Sequence, residues 1–187
     1  YNDSFTGLTI LPDDYNGSKN AVSYLIENNF KKIPIILSSD TWMKGYKDRL
    51  SGWRDAHLEH NLKYDDNFIL IPKDNSENAG YSQTIKLLKS LKDVEAIFCT
   101  SDEIAMGAYQ ALKEKGINIP DDISIIGYDN SNLSNLVKPK LSSVQLPYSE
   151  MTQKAINHII DRQKFNDNFI ITIDSPLIKK ESVRKKK

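Results

Sequence analysis

The stretch EAIFCTSDEIAMGAYQALKEKGINIPDDISIIGYDN, residues 95–130, decides the fold. An apolar run at 96–99 is followed by a polar stop and then by apolar residues at the 3.6-residue spacing of a helix. Lys115 and Gly116 are typical of a helix end. A second apolar run, at 123–127, is rich in β-branched residues. Strand, helix and strand make one βαβ unit, so we expect parallel strands joined by a right-handed crossover.

Polar residues follow both strands. Thr100, Ser101 and Asp102 come after the first strand, and Asp129 and Asn130 come after the second. Ligands of open parallel sheets bind outside the carboxyl ends of the strands, so we expect both groups to face one crevice. A local interpretation is also open, since Ser101 or Asp102 suits a helix N-cap and Asp129 suits a turn. We interpret Asp102 as a cap and Asp129 as a ligand contact.

Length and composition narrow the class of protein. The chain has 187 residues, enough for one sizeable domain or for one domain and part of another. Its formal net charge is zero, which argues against a nucleic-acid-binding face, and the basic residues 184–187 are typical of a solvated tail. Because the chain begins with Tyr1 and not with Met, we expect it to be a piece of a longer protein.

The same composition indicates a compartment. The one cysteine, Cys99, falls in a predicted buried strand, so an internal disulfide is impossible and a reducing environment fits. No stretch is apolar enough to span a membrane, and no signal peptide is recognisable. We therefore expect a cytoplasmic protein with no membrane partner.

The rest of the chain also alternates between predicted strands and predicted helices. Helices are predicted at 18–29, 44–60, 79–91 and 149–162, each preceded by a short apolar run, and residues 12–17 are interpreted as a turn cluster before the first helix. Strands that alternate with helices predict an α/β fold with a doubly wound parallel sheet.

The chain lacks the signatures of catalysis and of cofactor binding. Neither phosphate-cradling glycine motif is present, nor is a nucleophile elbow. His57, His60 and His158 have no third metal ligand at a suitable spacing, and we interpret them as exposed helical residues. We therefore predict neither an enzyme nor a metal or cofactor site.

What remains is a polar rim on the predicted crevice. Arg49 lies near a helix start and offers a planar fork of donors, although it would also fit a surface position over Trp53. Asp129 offers acceptors, Ser101 a hydroxyl and Trp42 an apolar wall. Such a set suits a neutral polyhydroxy ligand such as a sugar.

Five segments carry a family resemblance. In chain order they are DDYNG at 13–17, RLSGW at 49–53, AIFCTSDEIAMGAYQALKEKGINIPDDISIIGYDN at 96–130, PKLSSV at 139–144 and LIKKES at 177–182. Together they resemble the effector-binding domain of the lactose/galactose repressor (LacI/GalR) family of bacterial transcription regulators. The likeness covers nearly the whole chain, and the central run is the specific part.

The resemblance implies a periplasmic-binding-protein-like fold of two subdomains, of which this chain holds mainly the C-terminal one. Residues 1–10 would end a truncated N-terminal subdomain, and 11–144 would form the C-terminal subdomain. Residues 145–176 would return to the N-terminal subdomain, and 177–187 would be a final crossover and the basic tail. DNA would be bound by an upstream helix-turn-helix domain that is not in this chain.

The resemblance also implies a site. Arg49 and Asp129 occupy the positions that contact sugar effectors in family members that bind sugars. Ser101 stands at a ligand-contact position where asparagine is common. Asn75 stands where an aromatic residue is often found, so the stacking wall is missing or is supplied by another ring such as Trp42. No cofactor is implied.

A homodimer is implied as well. Its interface would use the helix at 104–109 and the loop at 133–136, through Ile104, Ala105, Ala108, Tyr109, Leu133 and Leu136. An effector that bridges two subdomains would favour one closure angle and alter how the dimer presents its DNA-binding heads, provided that its affinity for the two states differs.

Three alternatives stay open at this point. A periplasmic or lipoprotein sugar-binding protein for transport or chemotaxis would share the fold, but would have a signal peptide or lipobox upstream and be monomeric. A regulator that answers to a protein corepressor would not need Arg49 or Asp129 for signalling. A small α/β enzyme is disfavoured by the missing catalytic motifs.

Overall fold

The computed structural model describes residues 7–161 and 168–185. In chain order the elements are β1 (Gly7–Pro12), α1 (Asp14–Glu27), β2 (Ile35–Ile36), α2 (Lys44–Glu59), β3 (Ile69–Leu70), α3 (Glu77–Ser90), β4 (Ala96–Cys99), α4 (Asp102–Glu114), β5 (Ser124–Asp129), α5 (Leu133–Leu136), β6 (Ser142–Gln145), α6 (Tyr148–Ile160), β7 (Asn168–Ile173) and β8 (Leu177–Ile178). Residues 1–6, 162–167 and 186–187, which include parts of the predicted N-terminal segment, last helix and basic tail, lie outside the described residues.

Six strands form the main sheet in the order β3-β2-β4-β5-β6-β8. All neighbouring pairs are parallel except β6 and β8, which are antiparallel. In the central pairs Ile35 faces Phe98, and Ile97 faces Ile125. The predicted α/β class with a parallel sheet is confirmed.

Helices cover both faces of this sheet, and the central strands supply side chains to both. On β4, Phe98 belongs to the core under α1 and α2, together with Leu25 and Trp53. Its neighbour Ile97 points to the other face and packs with Leu112 under α3 and α4. Because strands buried on both faces need apolar residues at every position, they read as continuous apolar runs in the sequence.

Two strands form a second, smaller sheet. β1 and β7 pair in parallel along six residues, from Gly7 with Asn168 to Pro12 with Ile173. α6 packs against β1. Residues 177–178 return to the main sheet as β8, beside β6. The domain boundaries at 10, 144 and 176 stay a proposal.

Three local expectations were wrong. α1 begins at Asp14 and not at residue 18, because the carboxylate of Asp13 accepts from the backbone N–H of Asn16 at 3.0 Å and so caps the helix. His57 is buried and not exposed, and its Nδ1 lies 2.8 Å from the carbonyl of Trp53. Residues 133–136 form the short helix α5 and not an irregular loop.

Glycines allow the helix pairs to approach closely. A Cβ on Gly107 of α4 would overlap the backbone of α3, and one on Gly80 of α3 would overlap the carbonyl of Ile104. On the other face, a Cβ on Gly52 of α2 would overlap the backbone of α1. This close packing sets the positions of α2, α3 and α4, whose N-terminal ends lie around the site.

Candidate ligand-binding cleft

The cleft lies where the order of the strands reverses. β2 pairs with β3 on one side and with β4 on the other, so the loops after β2 and β4 leave in different directions and open a crevice at their carboxyl ends. The cavity there has a volume of about 440 Å³. It is lined by Tyr46, Asn75, Ser101, Asp102, Glu103, Asp129, Ser131, Asn132 and Leu133.

Arg49 forms the floor beside this cavity. Its side chain is almost fully buried, its Nε donates to Asp14 Oδ1 at 2.8 Å, and its Nη1 donates to the carbonyl of Thr100 at 2.6 Å. The guanidinium carbon lies 3.7 Å from the ring centroid of Tyr128 and 4.9 Å from that of Tyr46. Burial alone would lower the pKa of Arg49, but the nearby negative charges outweigh it and raise the pKa. The group is therefore a fixed cation and not a surface arginine over Trp53.

Asp129 faces the cleft from the end of β5. Its Oδ1 lies 3.8 Å from Nη1 of Arg49, an ion-pair distance that is too long for a good hydrogen bond. The backbone turns away at this point, with a positive φ of 100° at Asp129 and 48° at Asn130. Burial, followed by the charges of Asp102 and Asp14, raises the pKa of Asp129 to about 7, although Arg49 opposes the shift. Its carboxylate thus retains acceptor capacity towards the cavity.

Asp102 has a structural role that differs from the predicted cap. Its buried carboxylate accepts from Ser143 Oγ at 2.6 Å, and from the backbone N–H and Oγ of Ser131 at 2.7 and 2.9 Å. These bonds join the end of β4 to β6 and to the loop after β5. Beyond them, Lys180 Nζ donates to Asn130 Oδ1 at 2.8 Å. The network holds the loop that carries Asp129.

Ser101 is the N-cap of α4. Its Oγ accepts from the backbone N–H of Ile104 at 3.2 Å, and it also lines the cavity. Ser101 can therefore cap the helix and also contact a ligand, because a serine hydroxyl that accepts one bond still has a proton to donate.

Asn75 organises the loop after β2. Its Oδ1 accepts from the backbone N–H of Ser39 at 2.7 Å and from Ser38 Oγ at 2.6 Å, and its Nδ2 donates to Asp40 Oδ2 at 2.7 Å. The amide lines the cavity, but most of its hydrogen-bonding capacity is used within the chain.

The aromatic ring that lines the cleft is not the predicted one. Trp42 is 73% exposed and does not line the cavity, whereas Tyr46 does. Tyr148 begins α6, just beyond β6, and burial followed by the charge of Asp129 raises the pKa of its phenol. The sequence reasoning missed both tyrosines. Tyr46 had a detectable signal, because it lies one helical turn before Arg49.

Most of the residues predicted for a dimer interface are inside the chain. Ile104, Ala105 and Ala108 are fully buried against α3 and the sheet, so their side chains offer no surface to a partner. Tyr109 is nearly buried, and its hydroxyl donates to the carbonyl of Pro139 at 2.9 Å. Leu136 is 76% exposed, and the prediction is retained there.

Other kinds of site find no support among the described residues. No group of three or more histidine, cysteine or acidic residues could hold a metal ion within residues 7–161 and 168–185. Cys99 is buried, and burial raises the pKa of its thiol well above the usual range. In the same part of the chain no helix has the length and apolar character needed to cross a membrane.

A cleft with a buried arginine and a half-exposed aspartate at a sheet's switch point defines an α/β ligand-binding domain of the periplasmic-binding-protein type. A sequence model of the periplasmic binding protein-like domain matches residues 22–183. The chain belongs to this family of periplasmic binding protein-like domains.

Curated relatives are transcriptional repressors and regulators. The chain is 38% identical over 159 residues to the HTH-type transcriptional repressor PurR of Actinobacillus pleuropneumoniae serotype 3, covering 84% of this chain and 46% of the relative. It is 34% identical over 177 residues to PurR of Histophilus somni, covering 94% of this chain and 53% of the relative. The chain thus spans about half the length of these relatives.

Solved structures of transcriptional regulators superpose well on this chain. A transcriptional regulator CelR–cellobiose complex superposes with a TM-score of 0.82 at 26% identity, covering 92% of this chain and 53% of that one. The Escherichia coli transcriptional repressor ascG gives 0.83 at 28% identity, with 93% and 63% covered. A LacI-family regulator from Enterococcus faecium with bound ribose gives 0.81 at 26% identity, with 95% and 65% covered.

We predict that Arg49→Met destabilises the domain strongly. The change would leave the buried carboxylate of Asp14 without its partner, and breaking a buried ion pair in this way costs about 3–5 kcal/mol. Chemical denaturation followed by circular dichroism measures the loss. Arg54→Met, on the same helix and half-buried, is the matched control and should change the free energy of unfolding by no more than about 0.5 kcal/mol.

The double variant Arg49→Met with Asp14→Asn should recover part of that stability, because no charge is then buried alone. Equal effects of Arg49→Met and Arg54→Met, or no recovery in the double variant, would contradict the role given to the ion pair.

We predict a pH-dependent effect of Asp129→Asn. Because the pKa of Asp129 is raised to about 7 in the folded state from about 4 in the unfolded state, the folded protein binds the proton more tightly, and stability falls as the pH rises between these values. Asparagine cannot ionise. The variant should therefore gain stability relative to the parent between about pH 4.5 and 8, by an amount on the order of 2 kcal/mol.

Denaturant titrations at several pH values measure this difference. The control is Asp121→Asn on the exposed turn before β5, whose stability relative to the parent should stay constant over the same range. If the curves for Asp129→Asn and Asp121→Asn run parallel, the carboxylate of Asp129 is not held as the geometry indicates.

Proposed function

We propose that this chain is the larger part of the effector-binding domain of a LacI-family transcriptional regulator, which binds a small sugar-like ligand in the cleft beside the pair Arg49 and Asp129. The observation that carries the proposal is the position of these two residues. They face each other across 3.8 Å at the switch point of the sheet, in a chain of this family. The ligand would alter DNA binding by a helix-turn-helix domain outside the chain.

The cleft supports a hydroxyl-rich ligand. Asp129 offers acceptors, the hydroxyl of Ser101 a donor, and the ring of Tyr46 an apolar surface on which a sugar face packs. Two of the solved neighbours hold sugars, cellobiose in one and ribose in the other. A sugar hydroxyl needs both a donor and an acceptor, and the guanidinium beside the carboxylate offers that pair.

Signal transmission follows from where the cleft lies in the fold. β6 ends beside Asp129, whose carbonyl accepts from the N–H of Leu146 at 3.4 Å, and Tyr148 begins α6 just beyond. A ligand held between Asp129 and the segment that leads to α6 would bias the angle of that segment. Only a difference in affinity between two such angles would change DNA binding.

The regulator is favoured over a transport or chemotaxis protein of the same fold. The curated relatives are repressors and regulators of transcription, and such proteins are not enzymes. On this proposal the protein acts in the cytoplasm, where its DNA is, and it does so as a homodimer.

We predict that the full-length regulator is stabilised by one or a few sugars in a panel, and that Asp129→Asn loses this response. A ligand at a hundred times its dissociation constant contributes about 2.7 kcal/mol. That contribution raises the melting temperature by roughly 2–4 °C for each kcal/mol in a domain of 150–250 residues. Thermal shift measures the response. Asp129 is a better probe than Arg49, because the buried ion pair of Arg49 also supports folding.

Asp121→Asn is the control for this variant and should keep the full response. If no sugar or sugar derivative shifts the melting temperature, the sugar effector is excluded and a protein corepressor becomes the better hypothesis. If Asp129→Asn responds as the parent does, the ligand binds elsewhere.

We predict that Leu136→Glu converts the full-length dimer into a monomer without unfolding it. Leu136 is 76% exposed on α5, where the interface is proposed, and a carboxylate is far more costly to bury between two subunits than a leucine side chain. Sedimentation velocity measures the change. Leu58→Glu, a 62% exposed leucine on α2, is the matched control and should stay dimeric, whereas a dimer that survives Leu136→Glu refutes this interface.

A further inference from the structure

Acidic side chains outnumber basic ones at the cleft. Asp129 and Glu103 both line the cavity, and Asp14 lies behind them against Arg49. Two cations lie near this group: Arg49, whose Nε and Nη1 each donate one bond, to Asp14 and to the carbonyl of Thr100, and Lys180, whose Nζ donates to Asn130 Oδ1. An anionic ligand would meet two carboxylates that line the cavity, and a guanidinium of which two of the five N–H groups are already bonded within the chain.

The helix N-termini around the cavity are also neutralised by the chain itself. The start of a helix attracts anions through its free N–H groups and its dipole. α4 carries Asp102 and Glu103 in its first turn, and α3 carries Glu77. At α2 the Oδ2 of Asp14 would lie 2.7 Å from a Cβ on Gly45, so a carboxylate is placed against that helix start too. Positions suited to a phosphate are thus occupied by the protein's own negative charges.

The carboxylates that remain face the cavity with unused acceptors. Glu103 is exposed, and its carboxylate makes no hydrogen bond or ion pair with any other described residue. Asp129 lies at 3.8 Å from its one ion-pair partner within the same part of the chain. A ligand that brings hydrogen-bond donors would satisfy both groups, while a ligand that brings a negative charge would be repelled by both.

On the basis of the function proposed above, we propose that the cleft selects a hydroxyl-rich ligand without negative charge, and that it favours one whose amino group faces Asp129. An ammonium group would form a charge-assisted hydrogen bond with the carboxylate, which is stronger than the bond from a neutral hydroxyl. The remaining hydroxyls would bond to Ser101 and Glu103. A phosphate or carboxylate on the same ligand would meet Asp129 and Glu103 at close range.

The test uses matched sets of sugars on the full-length regulator at about pH 7.4, where the carboxylate of Asp129 and the ammonium of an amino sugar are both mostly charged. Each set contains a neutral sugar, its amino sugar, its phosphate ester and its uronic acid, for several hexoses and pentoses. Dissociation constants are measured by calorimetry for each set in which thermal shift finds a response. In such a set the amino sugar should bind at least as tightly as the neutral sugar. The phosphate ester and the uronic acid should each bind at least tenfold more weakly than the neutral sugar.

Glu103→Gln tests the charge directly. Removing one negative charge near the ligand should improve the affinity for the anionic members, relative to the neutral one, by about three- to tenfold. Glu114→Gln is the matched control, since it lies on the same helix eleven residues further on, roughly 16 Å along the axis. It should leave this ratio unchanged.

The outcomes separate the two proposals. If an anionic member binds as tightly as its neutral parent or more so, the charge selectivity is wrong while the sugar-responsive regulator stands. The charge selectivity is also wrong if Glu103→Gln and Glu114→Gln change the ratio equally. If no member of any set binds, the function proposed above fails, and the selectivity inferred from it fails as well.

Discussion

The buried guanidinium of Arg49 is the constraint on which the cleft depends. It joins three segments that are far apart in the chain, since its Nε is bonded to Asp14 at the start of α1 and its Nη1 to the carbonyl of Thr100 at the end of β4. The rings of Tyr46 and Tyr128 lie within 4.9 and 3.7 Å of it. A buried charge is tolerated only when it is paired and hydrogen-bonded, so the positions of Asp14 and Thr100 are fixed together. Asp129, at 3.8 Å from the guanidinium, and the ring of Tyr46 are the parts of this group that line the cavity.

A second buried group, the carboxylate of Asp102, fixes the other wall. Its bonds to Ser131 and Ser143 hold the loop after β5 against β6, and the positive φ at Asp129 is kept there. Residues in such backbone conformations persist only where the surroundings determine them. The cleft is thus built by two opposite buried charges, Arg49 beneath Asp129 and Asp102 beside it.

Much of the fold could be predicted from the sequence, because the spacing of apolar and polar residues along the chain follows the strands and helices. Continuous apolar runs predicted the parallel strands, and the polar residues after two of them located the cleft. Arg49 and Asp129 were predicted as ligand contacts from their motifs together with their place in the βαβ pattern, and the structure brings the two side chains to 3.8 Å. Family membership, supported by the match over residues 22–183, agrees with the resemblance carried by those motifs.

What the sequence did not reveal depends on contacts between distant residues. Asp14 and Arg49 are 35 residues apart, and Asp102 and Ser143 are 41 apart, so no local period links them. Asp102 suited a cap by its position, but Ser101 fills that role and leaves the carboxylate free for the network. The apolar residues at the start of α4 suggested an interface, although the close approach of α3 and α4 buries them within the chain.

The central claim is that a small ligand binds in the cleft against Asp129, beside the guanidinium of Arg49. The most direct measurement is a crystal structure of the full-length regulator with the sugar that stabilises it most. The account predicts the ligand in the cleft at the carboxyl ends of β4 and β5, with a hydroxyl or amino group within about 3.2 Å of the carboxylate of Asp129. A ligand bound elsewhere, with Asp129 facing water, would contradict it.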